Sequence, residues 1–161
     1  MTEKDPAGKC AALQTRVRSV QLATLGEGNE PHCGYTPYIQ DGKDLIVFIS
    51  QLAVHTRDLL ANPNVGTMLI EDEQDTNNLF ARCRVRHQCE AKVIQPEDPQ
   101  YTPLLDRYQE RHGKVVTLIR QLPDFVLFRL IPSSGMLVIG FGEAYRIEGD
   151  DMDKFVHVQK A

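Results

Sequence analysis

Tryptophan is absent from this chain, which weakens any reading built on a tryptophan-lined recognition surface. Long basic runs are absent too, and the net charge is −4. Phosphate binding along a polymer needs a concentrated basic face, so nucleic acid is not expected as the main partner. No apolar run approaches the roughly 20 residues of a membrane helix, so no membrane partner is expected either. The opening residues, MTEKDPAGKC, lack a hydrophobic signal core, which points to the cytoplasm. Four cysteines occur, Cys10, Cys33, Cys83 and Cys89, with no CxxC pair, so zinc binding has no support. Four reduced thiols are the expectation for a cytosolic protein. Ser133-Ser134 sits outside any G-x-S-x-G frame, which leaves hydrolase chemistry without support. Gly140-Phe141-Gly142 lacks the third glycine of a dinucleotide fingerprint and reads as a bulge or a close backbone approach. His32, His87, His112 and His157 are scattered, and no pair has metal-site spacing.

What is present is an ordinary globular composition, 42% apolar and 25% charged. The 161 residues suggest one domain over 1–161, with 1–8 a flexible tail and 149–161 a C-terminal tail. A chain of this size buries roughly 70% of its unfolded surface, enough for one core. The central stretch is SQLAVHTRDLLANP, Ser50 to Pro63. Ser50 can cap a helix, Leu52, Thr56, Leu59 and Leu60 make an apolar stripe, and Asn62-Pro63 stops it.

Around that helix the pattern is β. Strands are expected over Ser19–Leu25, Cys33–Gln40 with Pro37 at an edge or bulge, Leu45–Ile49 after an Asp41-Gly42 hairpin, and Val65–Glu71. Ile46, Val47, Phe48 and Ile49 are continuously apolar, so that strand should be covered on both faces. Leu79–Ile94 alternates as a long strand, Pro132-Ser133-Ser134-Gly135 reads as a turn, and strands lie on either side of it at Phe125–Ile131, Met136–Phe141 and Ala144–Ile147. A weak helical signal falls at Cys10–Val17, a helix is expected from Thr102 as cap, with Pro103 in its first turn, to His112-Gly113, and a helical stripe resumes over Lys114–Leu122. About seven short strands with two or three small helices outside point to a mainly β, antiparallel barrel. No βαβ alternation supports a Rossmann sheet.

Arg82, Arg84 and Arg86 fall at period two, a stripe of guanidinium groups within about 14 Å at the rise of a strand. Guanidinium groups bind carboxylate or phosphate in paired planar contacts. The alternative is a solvated face paired with acids such as Glu71 and Glu73. His55, Thr56 and Arg57 form the densest local chemistry, yet successive helical side chains point in different directions. Thr56 and Arg57 near a barrel rim could hold a phosphate or a propionate. Otherwise Thr56 faces the core, Arg57 is solvated, and His55 pairs with Asp58. Asp124 after Pro123 suits an Asx-turn.

The run from Ser19 to Glu73, with S-Q-L-A-V-H-T, N-P and E-D-E, resembles the first half of the split-barrel, flavin-binding fold of pyridoxamine 5′-phosphate oxidase-like proteins. More narrowly, those motifs with D-F-V-L-F-R-L-I-P and G-F-G-E-A are similar to heme-utilisation proteins of the HugZ/HutZ type, over about residues 15 to 148. The resemblance implies a homodimer with ligand sites between subunits, and heme binding with oxidative breakdown that releases iron. It implies heme as the favoured ligand, with FMN the alternative on an FMN-binding-like fold. By position, Arg84 would approach the heme and act on it, Asp124 would be an orienting carboxylate on the proximal side, and His55 would lie near the interface. Thr56, Arg57, Arg82 and Arg84 would be the phosphate contacts of a flavin. The family's axial histidine comes from a glycine- and histidine-rich ending. This chain ends FVHVQKA, so the iron ligand is expected beyond its C-terminus, with His157 a weak substitute.

Overall fold

The structure, a computed structural model, describes residues 4–159. Helix α1 (Pro6–Arg16) starts at Asp5, whose carboxylate accepts the Gly8 N–H, with proline in the first turn. Residues expected to be a loose tail are therefore partly helical, because cap and proline both favour a helix start there. Residues 1–3 of that tail, and 160–161 of the C-terminal one, lie outside the described residues.

Then follow β1 (Ser19–Leu25), β2 (Pro31–Pro37), β3 (Ile39–Asp41), β4 (Asp44–Ser50), α2 (Val54–Ala61) and β5 (Asn64–Ile70). The second half holds β6 (Arg84–Ile94), α3 (Tyr101–His112), α4 (Val115–Ile119), β7 (Phe125–Gly140), β8 (Glu143–Glu148) and β9 (Lys154–His157). All strands pair antiparallel in one sheet, ordered β2-β1-β5-β6-β7-β4-β3, with β8 joined to β7 and β9 to β8. This curled half-barrel with few helices is the split-barrel architecture expected from the sequence.

Strand β4 explains how the core divides. Leu45, Val47 and Ile49 face the concave side with Val20, Leu69, Val85, Phe128 and α1's Leu13. Ile46 and Phe48 face the opposite side, under Leu104, Leu105 and Tyr108 of α3 and Val116 of α4. Both faces are covered, so an unbroken apolar run is what the position requires. Burying each such side chain contributes about 2 kcal/mol.

Several local expectations change. Ser50 ends β4 and does not cap α2. Its Oγ accepts the Leu52 N–H at 3.1 Å, and the helix begins later, at Val54 behind Ala53. Leu52 is 85% exposed and leaves the apolar stripe, while Thr56, Asp58 and Leu59 are buried. Cys33–Gln40 is two strands broken at Tyr38, beyond Pro37. Leu79–Ala81 is a 3-10 turn, so β6 starts only at Arg84. Gln100, not Thr102, precedes α3, although Gly113 with φ 89° ends it as expected.

The segment Pro132–Gly135 is no turn. It runs through a continuous 16-residue β7, and the register against β6 slips there, with Gln88 opposite Ser134 and Cys89 opposite Pro132. Ser133 is the extra residue of a bulge, and its hydroxyl reaches the Gln88 carbonyl at 3.3 Å. One long strand therefore serves two partners, β4 along its first half and β8 along its second. Phe141-Gly142 is the β7–β8 turn, with Gly142 at φ 71°. All four cysteines are free thiols. No helix of the described residues is long and apolar enough to cross a membrane.

Candidate functional site

Two clefts meet on the side of the sheet where α3 and α4 lie against the end of α1. The larger, about 880 Å³, is lined by Arg16, Arg18, Gln21, Arg82 and the acidic turn Asp72–Asp75. The smaller, about 260 Å³, is walled by Tyr35, Phe48, Tyr108, Val116, Ile119 and Phe125, with Ser50 and His55 on it. Pro37, His112 and Val115 line both. The two adjoin along these residues and together make a trough, apolar at one end and lined at the other by guanidinium groups and acids.

The apolar end is built by packing. Phe48 sits 5.2 Å from Phe125 and 6.4 Å from Tyr108 between ring centroids. His55 lies against Gly34 of β2, where an added Cβ would stand 2.6 Å from its Nδ1. Only a residue without a side chain lets that ring lie on the strand. Burial holds the His55 imidazole below its ordinary 6.5, against the opposing pull of the Asp58 charge. His112 donates from Nε2 to the Tyr38 carbonyl at 2.8 Å. Burial is the main influence lowering it, offset in part by that hydrogen bond and reinforced by the charges of Arg111 and Arg18.

The other end is built by charge. Arg111 donates to the Val17 carbonyl at 3.0 Å, and the Tyr38 N–H to the Arg18 carbonyl at 3.2 Å. These bonds fix the link from α1 to β1 beside α3. Val17 is extended, which sets Arg16 and Arg18 two residues apart along one rim. Arg82 reaches the same rim from the turn before β6. Its Nε donates to the Glu71 carbonyl at 2.6 Å, and Glu73 stands 3.6 Å away.

The residues expected at a site divide accordingly. Arg82 lines the trough, and His55 lies at its apolar end. Arg84 does not line it. Its Nη1 turns back onto the Arg82 carbonyl at 2.8 Å. Arg86 and Arg57 are exposed. The regular three-arginine stripe is not formed, because Arg82 precedes the strand. Thr56, expected to meet a phosphate, is fully buried, with its hydroxyl lacking a partner, and cannot touch a ligand from there. The Asp58 expected to pair with His55 instead accepts from Thr24 and His32, each at 2.7 Å, tying the β1–β2 hairpin to α2. Asp124 accepts a hydrogen bond from the Ser50 hydroxyl, and its carbonyl accepts the Gln51 N–H at 2.8 Å. It sits next to Phe125 of the apolar wall. His157 pairs with Tyr145 across β8 and β9, away from the trough. Among the described residues no group of three or more His, Cys, Asp or Glu could hold a bare metal ion.

Arg16 and Arg18 were missed by the sequence reading. The signal was available: Arg-Val-Arg has the same period-two spacing that drew attention to Arg82 and Arg84.

Comparison with known proteins places this geometry. The pyridoxamine 5′-phosphate oxidase family profile matches residues 7–138. Heme oxygenase HutZ of Vibrio cholerae is 38% identical over 143 residues, covering 89% of this chain and 81% of that protein. The crystal structure of V. cholerae HutZ, described there as a heme storage protein, matches with a TM-score of 0.78 at 34% identity, over 84% of this chain and 95% of that one. The crystal structure of Campylobacter jejuni ChuZ matches with a TM-score of 0.86 at 27% identity, over 97% of this chain and 64% of that one.

Proposed function

The chain belongs to the pyridoxamine 5′-phosphate oxidase family, and from that membership we propose that it binds heme and degrades it oxidatively, as a cytoplasmic homodimer. One observation carries this reading: an apolar cleft adjoining a guanidinium-lined one. The larger cleft, at about 880 Å³, lies in the range of small-molecule sites, about 300–1,000 Å³. Heme is a flat apolar ring with two carboxylate arms, and the two ends of the trough match the two halves of that molecule. The relative named as a heme oxygenase supports the degradative step.

Heme is the substrate here and brings the iron that activates oxygen. The chain's own residues do the rest. Phe48, Phe125 and Ile119 exclude water from the ring, and guanidinium groups hold the acid arms. Ser50 fixes the Asp124 carboxylate, which orients the iron ligand. Arg84 acts on the far side of the ring. Its place outside the trough of its own subunit fits delivery across a two-fold interface. Tyr35 and Val115, 69% and 61% exposed where they line the trough, and Leu118, 64% exposed on the same short helix as Val115, are the surface a second copy would cover.

Titration with hemin tests the reading. The expected result is a Soret band saturating near one heme per subunit, lost on ascorbate addition as the ring opens. A free-hemin spectrum throughout would remove heme binding, and a stable band under ascorbate would remove the enzyme. Arg84→Ala is expected to slow turnover more than it weakens binding, and equal losses would reduce Arg84 to a binding role. Asp124→Asn is expected to shift the ligand-field bands, and an unchanged spectrum would leave it a turn residue.

A flavin reading rests on the family itself, whose name-giving members oxidise pyridoxamine 5′-phosphate. FMN would lay its ring in the same apolar end, with Arg82 near its phosphate. Uptake of FMN by the purified protein, with no response to hemin, is the result that would favour it.

A further inference from the structure

We infer that Arg18 is the residue that makes this trough select a ligand with a free acid arm, by pairing with that arm where the apolar and charged ends meet. The inference deepens the heme reading and rests on it.

Three guanidinium groups line the charged end, and they are not equivalent. Arg16 is engaged by the Glu71 carboxylate at 3.3 Å. Arg82 is engaged by the Glu71 carbonyl and by Glu73. Among the described residues Arg18 has no hydrogen-bond or ion-pair partner for its side chain, and only its backbone is bonded, through the Tyr38 N–H. It lines the larger cleft, and the Tyr38 main chain ties its carbonyl to His112, one of three residues shared by the two clefts, so Arg18 stands beside the junction.

Another part of the same rim is the acidic turn with Asp72, Glu73 and Asp75. A carboxylate seated near that turn would be repelled. The unsatisfied cation therefore fixes which way an amphiphilic ligand lies: ring toward Phe48 and Phe125, acid arm toward Arg18. A guanidinium–carboxylate pair is among the stronger hydrogen-bonded contacts, and it is lost when the acid is esterified.

The test compares hemin with hemin dimethyl ester, both titrated into the full chain and followed by the Soret band. Three proteins are used: the parent, Arg18→Gln and Arg18→Lys. The parent is expected to bind hemin about tenfold more tightly than the ester, the loss of one partly exposed charge-assisted contact. Arg18→Gln is expected to lose that preference by weakening hemin alone, and Arg18→Lys to restore part of it. Equal weakening of both ligands, or a preference that survives Arg18→Gln, would overturn the role of Arg18. A parent protein that binds neither ligand would overturn the heme reading and, with it, this inference. Binding of both with equal affinity overturns the inference alone. Arg18 is exposed and its side chain unbonded, so folding of the variants is not at risk.

Discussion

The two ends of the trough are held by different forces. At the apolar end, Phe48 is 3% exposed and touches two aromatic rings, and the imidazoles of His55 and His112 are pushed toward neutrality by burial. At the charged end, arginines and acids face each other across an open rim, where pairs are worth little and solvent screens them. One end keeps its shape because removing a side chain leaves a hole. The other can change partners at small cost, which suits a surface that must exchange its own acids for a ligand's.

The sharpest way to break this contrast is Phe48→Ala. It is expected to lower stability by about 3–5 kcal/mol, read from urea unfolding midpoints, because the cavity lies between α3, α4 and the sheet. Next comes Arg82→Ala, expected to cost about 1 kcal/mol through the lost bond to the Glu71 carbonyl. A cost matching that of Phe48→Ala would mean that the charged end is also a packing element.

A smaller effect separates the ends by pH. His55 and His112 titrate below 6.5 in the folded chain, and burial pushes His87 of β6 further, down to about 4, so below pH 6.5 the unfolded chain binds more protons than the native one, with His87 contributing most. Stability is then fully present above pH 7 and declines as pH falls from about 6.5 through the lowered folded values. Unfolding midpoints at pH 7.5 and 5.5 measure this, and His55→Gln should reduce the difference. The smallest expected effect is that of salt. Raising ionic strength from about 0.05 to 0.5 M should move stability by no more than about 0.5 kcal/mol, while weakening hemin binding several-fold. Salt-insensitive hemin affinity would show that the arginine rim does not hold the acid arms.

Much of the scaffold was legible along the chain. Ile46–Ile49 announced a strand covered on both faces, and Asn62-Pro63 and Gly113 marked helix ends, because each depends on neighbours in sequence. The site was only half legible. His55 and Arg82 line the trough, but Thr56 is buried, and Arg84 is bonded to the Arg82 carbonyl and lines neither cleft. The failure at Pro132–Gly135 has the same origin. Turn-forming residues were read locally, while pairing with β6 holds that segment extended between the stretches paired to β4 and β8 and absorbs Ser133 as a bulge.

The amino-acid order alone determined the periodicities, the breaks and the supply of guanidinium groups, since these follow from dihedral preference and side-chain spacing. The tertiary structure alone decided that Arg16 and Arg18, at and just after the end of α1, line one cleft with Arg82 from the middle of the chain, and that His112 from α3 joins apolar wall to charged rim. Those meetings depend on long-range strand register and on how α1 and α3 are bonded together through Arg111, and no local pattern carries that information.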